Sequence, residues 1–371
     1  MVSRTLSKYE FWLFLEYWPT VSVVAFLRRW PSLTKKKGNV MKSLLAAMTV
    51  LGGLCAGAGA ASASCGPVTI ADMNWASAGI AAQLDKFILE KGYGCTVTLV
   101  PGDTVPTLAT MRDKAEPDIA PEMWNNTIRT PLAAALTSGA LIQTTQILSE
   151  GGVEGWWIPK YMADEHRDIR TVQDALKHPD LFPAPLAPEK GAIYNCPPQW
   201  GCSVTTANLF RAFKAEEAGF QLIETLSVAG LEASINNATD KKIGWLGYYW
   251  APNSLLGRHQ MVRLSFGADV DEDAWNSCIS VAGCPDPQVS SYPVTEVYTV
   301  VTRQLAEREP ELRDYLSART WDNATLNQVM AWMEENRRTE ADAAQHFLQT
   351  YPDVWAKWVP GDVAAAIKAA L

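Results

Sequence analysis

Beyond residue 63 the apolar positions alternate between strand-like and helix-like spacing along most of the chain. Residues 68–71 form a short apolar run that predicts a strand, ending at Asp72, Asn74 and Trp75. Ile80, Leu84, Phe87 and Ile88 then recur on one face and predict a helix over 77–91, with Gly92 near its stop. A strand over 96–100, a helix over 106–114, a strand over 118–123 and a helix over 130–138 follow, the βαβ order of an open sheet. Residues 154–159 read as an extended crossing segment, and Thr171 as a helix cap. The stretch 181–203 is proline-rich and reads as irregular. Leu209, Phe210 and Phe213 stripe a helix over 206–219, followed by a strand at 221–224 and a helix at 231–239. A buried strand over 243–248 runs into Tyr249-Trp250-Ala251-Pro252. A last strand over 293–302 precedes helices at 304–318, 325–335, 340–350 and 362–371.

Against this pattern the placement of tryptophan is the most informative feature. Of 15 tryptophans, all but Trp12, Trp18 and Trp30 lie beyond residue 63. Trp75, Trp124 and Trp250 stand beside Asn, Pro and Gly rather than inside apolar runs. Trp75 and Trp124 both follow directly on a strand, and open sheets bind ligands outside the carboxyl ends of their strands. Trp156 and Trp157 in EGWWIPKYM, Trp200 in CPPQWGC, and Trp245 with Trp250 in IGWLGYYWAP extend the set. Trp321, Trp332, Trp355 and Trp358 fall at helical spacing and are expected to pack between helices. A ligand that needs ring faces is a methylated ammonium, which carries a charge but no N–H to donate. Cation–π attraction holds it with about 0.5–2 kcal/mol per well-placed ring.

The amino end bears on compartment. Residues 41–63 read as a signal peptide: Lys42, an apolar stretch from Leu44 to Leu54, and Ala61-Ser62-Ala63 as the cleavage site. Residues 1–40 have no secretory logic and are expected to be a mis-started or unstructured extension; Glu16 and Pro19 argue against a membrane span. Removing residues 1–63 takes away eight of 32 Lys/Arg and two of 40 Asp/Glu, leaving a net charge of −14. That balance argues against nucleic acid and anionic membrane surfaces as partners, and suits a cationic or zwitterionic ligand. The remaining chain of about 308 residues is large for one core and predicts two lobes. Local spacing favours disulfides Cys196–Cys202 and Cys278–Cys284, leaving Cys65 to pair with Cys95, as an oxidising periplasm would allow. No C-x-x-C is present and histidine is scarce, so neither zinc nor another cofactor is expected, and the acidic run Asp269, Asp271, Glu272, Asp273 reads as a solvated turn. G-x-S-x-G, H-E-x-x-H and the P-loop are all missing, so the expectation is a protein that is not an enzyme.

From Cys65 to the C-terminus the chain resembles the periplasmic substrate-binding proteins of glycine betaine/proline-type ABC transporters. The resemblance rests on VTIADMNWASAGIAAQLDKFILEKGYGC, PGDTVPTLATMRDKAEPDIAPEMW, GWWIPKYM and IGWLGYYWAPNSLL. It implies an α/β, two-lobed type II clamp, each lobe a mixed sheet flanked by helices. Residues 64–166 and 290–371 would form lobe 1 and 167–289 lobe 2. By motif, Trp75 and Trp124 would be first-lobe walls of an aromatic box; Trp245, Trp250 or Tyr248 would supply the second-lobe wall, and spacing does not choose among them. The disulfide loop CPPQWGC resembles members that bind trimethylamine N-oxide, which implies a wall role for Trp200. Glu154 reads either as the polar partner of the ligand or as a solvated carboxylate at the crossover. The implied ligand is glycine betaine, proline betaine, choline or trimethylamine N-oxide, delivered to an inner-membrane permease and its ATPase. A periplasmic sensor built on the same clamp, or an exported enzyme acting on methylated amines, are the other readings.

Overall fold

A computed structural model describes residues 65–371, so the expected signal peptide and the extension before it lie outside the described residues. The chain builds two sheets. The first holds β1 (Pro67–Met73), β2 (Thr96–Gly102), β3 (Ile119–Trp124) and β4 (Leu141–Gln146). The second holds β5 (Val153–Pro159), β6 (Pro183–Ala184), β7 (Ala187–Tyr194), β8 (Phe220–Ile223), β9 (Gly247–Ala251) and β10 (Met261–Arg263). β11 (Val297–Thr302) returns to the first sheet, whose order is β2-β1-β3-β11-β4. β1 runs parallel to β2 and β3, while β11 lies antiparallel between β3 and β4. The second sheet has the order β10-β5-β9-β7-β6, with β8 beside β7.

The periodicity explains what packs where. The buried face of helix Ala76–Gly92 presents Ile80, Leu84 and Ile88, and the helix packs against Glu340–Thr350 and Gly361–Ala370. Thr339 starts the first of these with a capping box completed by Asp342. Trp321, Trp355 and Trp358 are buried as expected; Trp321 and Trp358 pack on Phe347. Trp332 is half-buried and stacks on His346 with ring centroids 3.9 Å apart. All three expected disulfides are formed: Cys65–Cys95, Cys196–Cys202 and Cys278–Cys284.

Several element boundaries differ from the sequence reading. The single helix expected over 304–318 is two, Arg303–Arg308 and Pro310–Ala318, because Pro310 has no N–H to continue a helix but suits the first turn of one. The helix expected over 206–219 is Cys202–Ala212, begun by the disulfide loop. The proline-rich stretch read as irregular contains β6 and β7. The sheet change also differs: β5 pairs with β9 and β10, so residues 153–159 belong to the second sheet although they precede 167. Among the described residues no helix is long and apolar enough to cross a membrane.

Candidate functional site

The carboxyl ends of β1 and β3 face the second sheet across a small cavity. Trp75 caps helix Ala76–Gly92 in an extended conformation immediately after β1, and Trp124 is the last residue of β3. From the second sheet come Tyr248 and Trp250, two apart on β9 and therefore on one face, and Glu154 on β5, paired in register with Trp250. Trp200 sits in the loop closed by Cys196–Cys202, where its N–H donates to the Pro197 carbonyl in a turn. These six side chains line one cavity with Thr104, Thr127, Gly201 and Cys202. Its volume is ≈ 30 Å³, against roughly 10–15 Å³ needed for a single enclosed water.

The rings interlock edge to face. Trp200 meets Trp75 at 5.3 Å and 79°, and Trp250 at 5.0 Å and 80°. Tyr248 lies more parallel to Trp250, at 6.3 Å and 25°. The Trp124 ring lies over Gly152, where a β-carbon would run into it. Such contacts are worth about 0.5–1.5 kcal/mol per pair beyond burial and hold ring faces in place.

Trp245 is not part of this cluster. It is buried against Tyr194, stacked at 5.5 Å, with its indole N–H donating to Ser234 Oγ at 2.8 Å. Tyr248 and Trp250 face the cavity, and strand alternation sends Tyr249 the other way, to Asn253 at 2.9 Å. Trp245 precedes β9, and its contacts with Tyr194 and Ser234 hold it away from the cavity. Trp156 is also buried elsewhere, against Phe213 and Phe266, and Trp157 donates to the Tyr249 carbonyl at 2.9 Å.

Glu154 is buried, not solvated. Its Oε1 accepts from Tyr248 Oη at 2.8 Å, and its Oε2 from Thr295 Oγ1 at 2.8 Å and Asn126 Nδ2 at 3.4 Å. Burial pushes its pKa up, opposed by these donors. The same carboxylate raises the Tyr248 hydroxyl, already driven up by burial.

Residues that sequence reasoning passed over complete the site. Glu122, fully buried on β3, accepts at Oε2 from Trp75 Nε1 (2.8 Å), Ser77 Oγ (2.9 Å) and Trp124 Nε1 (3.2 Å). The available signal was its position two before Trp124, which puts both on one face of a strand. Asn74 Oδ1 and Asp103 Oδ1 accept from Trp200 Nε1 at 2.8 and 3.1 Å. These bonds, with Val105 N–H to the Gln199 carbonyl at 3.3 Å, tie the disulfide loop to the first-sheet side of the cavity. Gly201 lies so close to Thr127 that a β-carbon would overlap its side chain. Among the described residues no group of His, Cys, Asp or Glu is arranged to hold a metal ion.

Two mixed sheets flanked by helices, with a cavity between them roofed from both sides, define a two-lobed solute-binding protein. The chain belongs to the family of substrate binding domains of ABC-type glycine betaine transport systems, whose model matches residues 66–350. Among solved structures, a choline-binding protein of an ABC transporter in complex with choline is 19% identical, with a TM-score of 0.66 over 82% of this chain and 98% of that one. The glycine betaine/L-proline-binding protein ProX from Borrelia burgdorferi is 16% identical, with a TM-score of 0.65 over 81% and 99%. Lactococcal OpuAC, closed on glycine betaine, is 16% identical, with a TM-score of 0.61 over 79% and 99%. No curated protein sequence matches.

Proposed function

We propose that this chain is the extracytoplasmic solute-binding protein of an ABC transporter. It captures a methylated ammonium compound between Trp75, Trp124, Trp200 and Trp250, with Tyr248 beside them, and presents the closed form to an inner-membrane permease and its ATPase. The observation that carries this reading is the cavity wall: four tryptophans from four separate chain regions meet there, and such a wall offers a cation π-faces rather than hydrogen bonds. Export to the periplasm accords with three disulfides in the described residues.

The polar features of the cavity narrow the ligand. Gly201 and Cys202 line it at the start of the 11-residue helix Cys202–Ala212. The positive end of a helix favours an anionic ligand end, such as a carboxylate or an N-oxide. Glu154 has a raised pKa, and a neutral carboxyl can donate to an N-oxide where an ionised one cannot.

Calorimetric titration with trimethylamine N-oxide, glycine betaine, choline and unmethylated glycine tests this reading. The expected result is saturable binding of a methylated compound and none of glycine; silence towards all three methylated compounds would reject it. The pH dependence carries a sign. An acceptor ligand such as the N-oxide binds best while Glu154 is protonated and weakens as pH rises through that raised pKa. A donor such as choline's hydroxyl shows the opposite trend, weakening as pH falls through the same range.

A further inference from the structure

Behind the cavity, on the side of the first sheet, lies a chain of buried charges that the walls themselves do not require. Glu122 and Asp85 are both completely buried, and Arg319 is nearly so. Arg319 Nε stands 2.8 Å from Asp85 Oδ1, too oblique for a hydrogen bond but close enough for an ion pair, and Arg319 Nη2 donates to Thr299 Oγ1 at 2.8 Å. Tyr315 Oη also donates to Asp85 Oδ1, at 2.6 Å. Arg319 thus neutralises Asp85, and its field reaches Glu122. When Glu122 is ionised, these three residues sum to one uncompensated negative charge.

The geometry at Glu122 favours the ionised form. Three donors converge on Oε2, two of them indole N–H groups of cavity walls, and an oxygen that accepts three hydrogen bonds is the acceptor of a carboxylate. A proton on Oε1 would be a buried donor with nothing to receive it, since Oε1 has no partner. Burial is the larger influence and raises the Glu122 pKa, while the three donors and Arg319 act to lower it, so the ionised form rests on the convergence of donors at Oε2.

We propose that Glu122 is a positioning residue that also supplies charge: it fixes the Trp75 and Trp124 rings by their N–H groups and makes the faces they present more negative. An indole that donates its N–H to an anion shifts electron density toward its ring. The ring face is the part that meets an ammonium, so cation–π attraction strengthens at both walls. The carboxylate adds its own field in a region of low dielectric. The box then selects charge as well as shape, admitting a methylated ammonium in preference to an uncharged tert-butyl group of the same outline. This inference rests on the methylated-ammonium reading above.

The test uses Glu122→Gln, which keeps an oxygen able to accept from both indoles but removes the charge. Two readouts separate the parts. Without any ligand, the Nε1–H proton resonances of Trp75 and Trp124 are expected to lie downfield in the wild type and to move upfield in the variant; unchanged shifts would overturn the anionic acceptor. With ligand, choline is compared with its uncharged carbon analogue dimethylbutanol. The variant is expected to lose about tenfold or more in affinity for choline and less than about twofold for the analogue. Equal losses for both, or no loss for either, would overturn charge supply. Should Glu122→Gln fail to fold, Glu122→Asp keeps the charge on a shorter arm. It is expected to weaken both compounds while keeping their ratio, and a collapsed ratio would overturn the proposal. If the wild type binds no methylated ammonium, it is the functional reading that fails, and the indole shifts still decide the state of Glu122.

Discussion

Trp75→Ala and Trp124→Ala are each expected to lower affinity for the methylated ligand by at least about tenfold. One ring face contributes about 0.5–2 kcal/mol to a bound cation, and 1.4 kcal/mol corresponds to tenfold. Each substitution also disturbs its neighbours. Losing Trp75 removes the edge that packs against Trp200, and losing either ring removes a donor from Glu122 Oε2. Both residues stand at the ends of β1 and β3 rather than in the middle of the helical core, so the fold should survive. Calorimetry with a thermal melt on each variant reads the two effects separately. Unchanged affinity in both variants would remove these residues from the binding wall.

The second large effect belongs to the disulfide loop. Trp200→Ala removes one ring of the cavity together with two hydrogen bonds that cross to Asn74 and Asp103. A bond to a carboxylate such as Asp103 contributes about 1.5–3 kcal/mol and one to a neutral amide such as Asn74 about 0.5–1.5 kcal/mol, so an affinity loss of about 10–100-fold is expected, with faster dissociation. Gly201→Ala provides the control that deletes no ring. Its β-carbon would overlap Thr127, forcing the loop away from the first-sheet side of the cavity. The expected result is weaker binding although all four tryptophans are still present, read by stopped-flow fluorescence. Wild-type kinetics in Gly201→Ala would mean that the close approach of loop and Thr127 has no part in capture.

How much of this was legible in the sequence depended on whether local spacing carried the signal. The alternation of apolar runs marked the strands of the first sheet because each is followed by an amphipathic helix with a stop. The disulfides were legible because two pairs each close a short loop. Trp75 and Trp124 were legible because a strand ends at them. The choice among Trp245, Tyr248 and Trp250 was not, since alternation puts Tyr248 and Trp250 on one face of β9 without saying which face meets the cavity. The pairing of β9 with β5 decides that, by setting Trp250 opposite Glu154. Glu154 stood undecided between solvent and ligand, because its burial depends on Thr295 and Asn126, which are distant in sequence. Residues 154–159 read as a crossing segment rather than a sheet strand for a similar reason, as the partners of β5, β9 and β10, lie about a hundred residues further on. Glu122 was overlooked for what it contacts. A lone carboxylate in a buried strand shows its purpose only when Trp75, from another βα unit, is brought onto the same oxygen.

The central claim is that the ring faces of this cavity hold a methylated ammonium, and a crystal structure with the tightest ligand of the titration panel tests it most directly. The ligand nitrogen is expected within about 6 Å of the ring centroids of Trp75, Trp124, Trp200 and Trp250, with the ligand's polar end toward Glu154 or the start of helix Cys202–Ala212. A ligand seated outside these rings, or turned with its ammonium group toward solvent, would contradict it.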